Sequence, residues 1–393
     1  MGTQCTETAE TMAQRLGFTC SDANPVLDIR NPFELSNWTL PVLELTVVAG
    51  AALALWWAIR RLRREGDPVN LALWFAAVAY LLIVETPLYF PDVFGIDDMI
   101  GTIFTHNVFT VQFLYDRLPL YIIALYPAMA MLAYEIVRSL GVFRSRGIVV
   151  GSLCVGFVHL CFYEIFDHLG PQLSWWTWNT ENPINRPLFD AVPMCSVLLF
   201  AAVGPALLTG TLRTLIGNPV DSGHRLSAPA LIGRTIACAV LVPVGLVIVN
   251  IPIALTEGDD PGNALRVAIY MLYLVAFTVV ALPVLVAQWR QRHGDARPAE
   301  PNTFVRVFGV AYLLVIAGLW ATALPDYFTA DHGVTVQGTP TGNLPFAAVC
   351  FVISCTATFS VSTGRTQQNI RRPGNAAATE RAANTPQGSE TAQ

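Results

Sequence analysis

The chain contains no lysine; all 23 of its basic residues are arginine. No side-chain Schiff base can form, which excludes retinal-binding rhodopsins, lysine nucleophiles and pyridoxal enzymes. Charge of either sign is scarce as well. Only 13% of the 393 residues are charged and 53% are hydrophobic, a charge content about half that of a soluble domain. A water-soluble fold of this composition would have no surface. With lipid as the solvent, only loops and internal sites need polar groups, because each backbone N–H is satisfied within a helix. The net charge of -5 describes the loops, and it gives no support to nucleic-acid binding, which needs a basic face.

Motifs are missing too. The eight cysteines, at 5, 20, 154, 161, 195, 238, 350 and 355, include no CxxC pair, which removes zinc ribbons and thioredoxin-type sites. No nucleotide-binding loop and no transporter-type repeat is visible, so an ATP-driven pump is not expected from this chain. No residue pattern names a cofactor or a metal site.

What is present is a series of apolar stretches about 20 residues long, the length that crosses a hydrocarbon core. They run over 38–59, 69–90, 118–138, 147–166, 189–211, 231–255, 266–288, 304–323 and 345–363. The expected fold is therefore all-α, a polytopic transmembrane helical bundle of about nine spans. Residues 1–37 lack the basic start and apolar core of a signal peptide and are expected to be retained outside the cytoplasm. Arg60, Arg61, Arg63 and Arg64 stop the first span and place its end in the cytoplasm. Alternating nine spans from there puts 18 arginines inside and leaves Arg15, Arg30, Arg117, Arg186 and Arg266 outside. Adding or dropping one span inverts that asymmetry downstream. The tail 364–393 has almost no large apolar residue and is expected to be a disordered cytoplasmic tail. An arginine-only basic complement suggests a high-GC genome, and the expected location is the cytoplasmic membrane of such a bacterium.

Stretch 95–117 is ambiguous. Its apolar patches are broken by His106, Asn107 and Asp116, and a re-entrant or interfacial helix is one expectation for it.

The densest polar region ends the fourth span. Cys161, Glu164, Asp167 and His168 recur at spacings of three, four and seven, which puts them on one helix face. A carboxylate and an imidazole one turn apart can act as an acid/base pair or bind a metal together; alternatively they form a polar helix end in the headgroup zone. The pattern is not a dedicated zinc motif. His159 points away from this face. Glu85, about five residues from the outer end of the second span, is costly in lipid and expected to face inward, with Pro87 opening the helix beside it. His106-Asn107 and Asp116-Arg117 lie on the same outer side, the latter explicable as a juxtamembrane ion pair. Glu135 and Arg138 are three apart near the cytoplasmic end and form an interfacial pair; the inner halves of the spans otherwise carry few polar residues.

Loop 167–188 holds Trp175, Trp176 and Trp178 with Asn179, Glu181, Asn182, Asn185 and Arg186. It suits an aromatic belt at the headgroups, or a lid over a lipid or polyprenyl chain whose anionic head meets Arg186. Its layout, an acidic helix end, a Trp-rich loop and a Pro-containing span, is broadly similar to that of carotenoid-hydratase membrane proteins over about forty residues. No diagnostic motif accompanies the likeness and no family is assigned.

Three functions compete. The first is an enzyme acting on a lipid or isoprenoid at the outer half of the membrane. Its catalytic candidates are Glu164, His168 and Glu85, and its substrate-binding candidates are His106, Asp167, Trp176, Trp178 and Arg186. The second is a structural or sensory membrane protein without catalysis. The third is a small-molecule or proton-coupled transporter, which predicts polar residues through both halves of the bilayer. The bilayer is the one partner that composition requires. Cys5 and Cys20, the two cysteines outside the spans, are expected to pair in an oxidising compartment.

Overall fold

The computed structural model describes residues 6–20, 23–256, 263–294 and 300–362. A short helix α1 (Glu7–Arg15) and strand β1 (Leu27–Ile29) precede the first long helix. Nine helices among the described residues are long and apolar enough to span a membrane: α2 (Thr39–Glu65), α3 (Val69–Tyr89), α4 (Leu120–Ser139), α5 (Val142–Asp167), α6 (Ser196–Asp221), α7 (Ala228–Ala254), α8 (Ala264–His293), α9 (Val305–Thr329) and α10 (Leu344–Ser362). Their lengths follow from a rise of about 1.5 Å per residue across a hydrocarbon core of about 30 Å. The chain is thus an all-α, multi-pass membrane bundle.

Where ends differ from the hydropathy reading, local chemistry is the reason. Helix α2 continues through its arginines, whose charges suit a helix C-terminus, and stops at Gly66. That residue is left-handed at φ 68° and donates its N–H to Leu62 O, a turn that glycine adopts without Cβ strain. Helix α5 starts earlier than expected but is interrupted at Gly147 (φ 77°, ψ -173°), so the span proper begins there. Helix α6 starts seven residues later than the expected 189. Leu188–Phe189 and Val192–Pro193 form a small hairpin instead. Wide π-turns occupy Ser196–Val203 and Arg213–Gly217 within α6.

Helices α4 and α5 are the centre of the bundle, 83% and 72% buried across their apolar windows, whereas α7 and α8 are only 22% and 17% buried and present their sides to lipid. Close packing at the centre needs small residues. A Cβ on Gly156 of α5 would lie 2.5 Å from Ala202 O of α6, so these two helices touch through backbone.

The ends of the bundle differ. At the arginine-rich end, short turns join α2 to α3 and α4 to α5. The other end is loop-rich and carries the small sheets. Stretch 95–117 is not a helix: strands β2 (Phe104–His106) and β3 (Val111–Phe113) lie within it, and β4 (Leu118–Pro119) follows. Strands β1, β3 and β4 form one antiparallel sheet, tying the N-terminal segment to the bundle. Strand β5 (Trp176–Trp178) pairs antiparallel with β2, setting Phe104 opposite Trp178 and His106 opposite Trp176. The alternation of side chains along a strand sends these four rings to one face. Polar breaks that spoil a helix are tolerated in such a ladder. Cys20 is disulfide-bonded and the six cysteines from Cys154 to Cys355 are free thiols; Cys5, like the tail 364–393, lies outside the described residues.

Candidate functional site

Beneath the β2–β5 ribbon, α3, α4, α5 and α6 border a partly open cavity lined by Glu85, Asp167, Ser196, His106 and the rings of Trp176 and Trp178, with Phe104, Ile122, Tyr163, Phe166 and Phe200 completing the wall. The two acids reach it from the ends of α3 and α5. Tyr126 donates to Glu85 Oε1 at 2.6 Å, and Ser196 Oγ donates to Asp167 Oδ2 at 2.7 Å. The second oxygen of each, Glu85 Oε2 and Asp167 Oδ1, is buried and meets no described residue in hydrogen-bond geometry, although the Tyr89 hydroxyl lies close to the Glu85 carboxyl. The indole nitrogens of Trp176 and Trp178 are in the same condition. Neither acid forms an ion pair with a described residue. Unpaired polar atoms at this density are rare in a finished core, and four of them on one cavity mark a place built to meet something else.

His106 stands at the back of the cavity between two tyrosines. Tyr89 Oη is 3.0 Å from its Nε2 and Tyr121 Oη is 2.9 Å from its Nδ1. Burial lowers the His106 pKa to about 3, so the ring is neutral: one nitrogen donates to a hydroxyl and the other accepts from one. The Trp-rich loop is fixed from both sides. Trp175 Nε1 donates to Thr39 Oγ1 at 2.8 Å, and the Trp176 ring fills the space where a Cβ on Gly170 would stand, at 2.0 Å. Trp175 and Trp176 are therefore interior residues and not part of a headgroup belt. Next to the ribbon, Leu114, Tyr115 and Asp116 are consecutive left-handed residues with φ between 54° and 60°, a strained turn. Asp116 pairs with Arg30 rather than with Arg117, which donates to Tyr89 O and stacks on Phe90 at 4.4 Å.

Glu164 and His168 are elsewhere. A three-residue step turns Asp167 about 60° from Glu164 around α5, by the 100° per residue of an α-helix, and that angle separates two neighbourhoods. Asp167 faces the cavity. Glu164 and His168 face α10, with Cys161 beside Cys350 on the same side. His168 Nδ1 accepts from the Asn343 N–H at 3.1 Å, which puts the ring proton on Nε2, 3.3 Å from Glu164 Oε2. Of the expected site residues, the structure brings together Glu85, His106, Asp167, Trp176 and Trp178, and it does not bring Glu164 and His168 to them. Arg186 is also apart: it donates to Thr180 O at 2.7 Å, with Glu181 at 3.7 Å. Among the described residues no cluster of three or more His, Cys, Asp or Glu could hold a metal ion.

A second, smaller cavity adjoins the first nearer the bundle's middle. It shares Tyr163 and Phe200 with it and is otherwise lined by Tyr80, Tyr126, His159 and apolar residues of α3, α4 and α6. Tyr80 Oη is buried there without a partner.

The arginine-rich end carries a polar cluster that sequence spacing understated. Glu135 is fully buried and accepts from Trp57 Nε1 at 3.0 Å, Asn70 Nδ2 at 2.9 Å and Asn302 Nδ2 at 2.7 Å. Arg138 binds Asp67 and Asn70, and Arg61 binds Asp67 at 3.2 Å. The spans are therefore not apolar throughout at this end, and Glu135 lies 3.8 Å from Arg138 as its spacing predicts while also tying together α2, α3, α4 and the start of α9. Asn70, Trp57 and Asn302 gave no sequence signal because each is unremarkable until its helix is placed.

No protein-family model, curated protein or solved structure matches this chain. The site's geometry is what speaks for its chemistry.

Proposed function

We propose that this protein is a membrane-embedded acid/base enzyme acting on an apolar lipid or isoprenoid at the extracytoplasmic half of the membrane. The observation that carries this reading is the pair of buried carboxyls, Glu85 and Asp167, each with one unpartnered oxygen on the same aromatic-walled cavity. Two uncompensated carboxylates on one apolar cavity are too costly to coexist, so in this reading one of the two acids carries a proton and can give it to a carbon–carbon double bond. The positive charge that forms on carbon is stabilised by ring faces, here Phe104, Phe166, Trp176 and Trp178. The second carboxyl, as carboxylate, takes up the proton lost from the neighbouring carbon. The cavity's space for the centre of a water molecule is about 30 Å³, so substrate enters as the β2–β5 ribbon lifts, a closure that excludes bulk water from a cationic intermediate. In this reading His168 holds the loop before α10 against α5 by accepting from the Asn343 N–H.

The test is mass spectrometry of lipids from vesicles that contain polyprenols and carotenes, incubated with wild type, Glu85→Gln and Asp167→Asn. A mass- or retention-shifted isoprenoid formed by wild type and absent with both variants is expected. An unchanged lipid profile with folded wild-type protein removes the enzyme reading.

One observation favours a second reading, a proton-coupled carrier. Polar groups run from the outer cavity to Tyr80 and His159 and recur at Glu135. Proton flux in pH-loaded liposomes that is lost in Glu85→Gln, with no lipid conversion, selects it.

A further inference from the structure

The smaller cavity has polar groups that the acid pair does not use. His159 Nδ1 lies 2.7 Å from Ala201 O. A carbonyl only accepts, so Nδ1 carries the proton and the neutral ring keeps a lone pair on Nε2. Its ring stacks on Tyr163 with centroids 5.7 Å apart, and the Tyr80 and Tyr126 rings are 5.5 Å apart across the same space. Tyr80 is 3% exposed and its hydroxyl has no partner among the described residues. The space open to the centre of a water molecule is about 20 Å³, room for one or two waters at roughly 10–15 Å³ each, and a buried water needs two to four polar partners. Tyr80, His159 Nε2 and the Tyr126 and Tyr163 hydroxyls supply them.

We infer that this cavity is an internal water site that links the two acids, returning to Glu85 the proton left on Asp167. The inference rests on the acid-pair reading for its purpose, though not for the water's presence. Tyr163 lines both cavities, and Tyr126 lines the inner one while donating to Glu85. In the return step the Asp167 O–H bond breaks as a water in the outer cavity, which both side chains line, gains that proton and passes one of its own to Tyr163, which passes its own to the inner water. The inner water gives one of its protons to Tyr126 as Tyr126 gives its own to Glu85 Oε1. Each intermediate oxygen loses one proton and gains one; Asp167 ends as carboxylate and Glu85 as acid. No external proton is consumed, and the class of reaction served is one that leaves substrate composition unchanged, a double-bond shift or ring closure.

Infrared difference spectroscopy of the full chain in nanodiscs tests this without a substrate. In wild type, exchange of H₂¹⁶O for H₂¹⁸O is expected to shift a narrow O–H stretch of an internal water, and Tyr80→Phe and His159→Phe are each expected to abolish that band. Tyr80→Phe is also expected to move the Glu85 carboxylic-acid C=O stretch, assigned by its loss in Glu85→Gln, because the water bears on Tyr126. An isotope-insensitive spectrum, or a water band that survives Tyr80→Phe in folded protein, overturns the site. A C=O stretch unmoved by Tyr80→Phe overturns the link. If Glu85→Gln removes no carboxylic-acid band, the acid-pair reading fails and the link with it, while the water band still decides whether the site exists.

Discussion

The two ends of the bundle both bury polar groups at the mouths of helices, and they treat them oppositely. At the arginine-rich end Glu135 receives three donors, and Arg61 and Arg138 balance Asp67 and Glu135 in charge; of this cluster only Arg61 Nε lacks a partner. At the loop-rich end Glu85, Asp167, Glu164, His168, Trp176 and Trp178 each leave a buried atom unsatisfied. A satisfied cluster fixes helices in place. An unsatisfied one costs stability, of order 1–3 kcal/mol for each orphaned group, and is retained where the missing partner is a ligand or water. Burial alone would not separate the two, since Glu135 and Asp167 are equally inaccessible.

The comparison can be broken most decisively at the acids. Glu85→Gln and Asp167→Asn are expected to lower turnover about 10²–10⁴-fold, the contribution of a positioned acid or base, while thermal unfolding in detergent changes by no more than about 1 kcal/mol. If either variant unfolds the protein, the loop-rich cluster is structural and the contrast collapses. The reverse is expected of Arg138→Ala. Removing one member of a partly buried pair leaves Asp67 and Glu135 with Arg61 alone, and the loss should be about 3 kcal/mol, the low end for a buried pair, read as a lowered unfolding midpoint. A loss below about 1 kcal/mol would show the arginine-rich cluster to be dispensable.

A smaller effect is expected at the ribbon. Gly170→Ala puts a methyl group into the Trp176 ring, a strain of about 1–3 kcal/mol. It should shift tryptophan emission to the red as the indole moves toward water, and turnover should fall with it. Emission unchanged from wild type would show that the ribbon yields freely.

The smallest effect is in pH dependence, and it sharpens the contrast because the two ends titrate in different windows. His106 is buried neutral, with its pKa lowered from 6.5 to about 3. The unfolded chain takes up this proton first, so stability rises with pH between about 3 and 6.5 and is lost as pH falls through that window. For Asp67, burial alone would raise the pKa, but Arg138, the Val69 N–H and Arg61 together hold it below the usual carboxylate value. Its contribution is complete above the unfolded carboxylate value and is lost only as pH falls through the lower folded one. Acidification should therefore loosen the loop-rich end before the arginine-rich end. Hydrogen exchange at pH 5, with faster exchange in β2 and β5 than in the α2–α3 turn, checks this; simultaneous loosening contradicts it.

Lipid solvation made much of this protein legible from residue order. A hydrocarbon core demands about 20 apolar residues per crossing, and each crossing satisfies its own backbone, so nine spans could be read one at a time without knowing their neighbours. The cost of an isolated carboxyl in lipid likewise singled out Glu85 and the end of α5. What residue order could not say is which polar groups meet. Asp167 and Glu164 are three residues apart and looked like one face, yet 60° of rotation sends one to the acid cavity and the other to α10. His106 looked like a break in a weak helix until strand pairing with Trp176 gave it a wall to complete. Glu135 found Asn70 and Asn302, 65 and 167 residues away. Crossing the membrane is a local transaction between a helix and its solvent, whereas a site depends on the rotation and depth at which several helices pack, and that is decided only when all of them are in place.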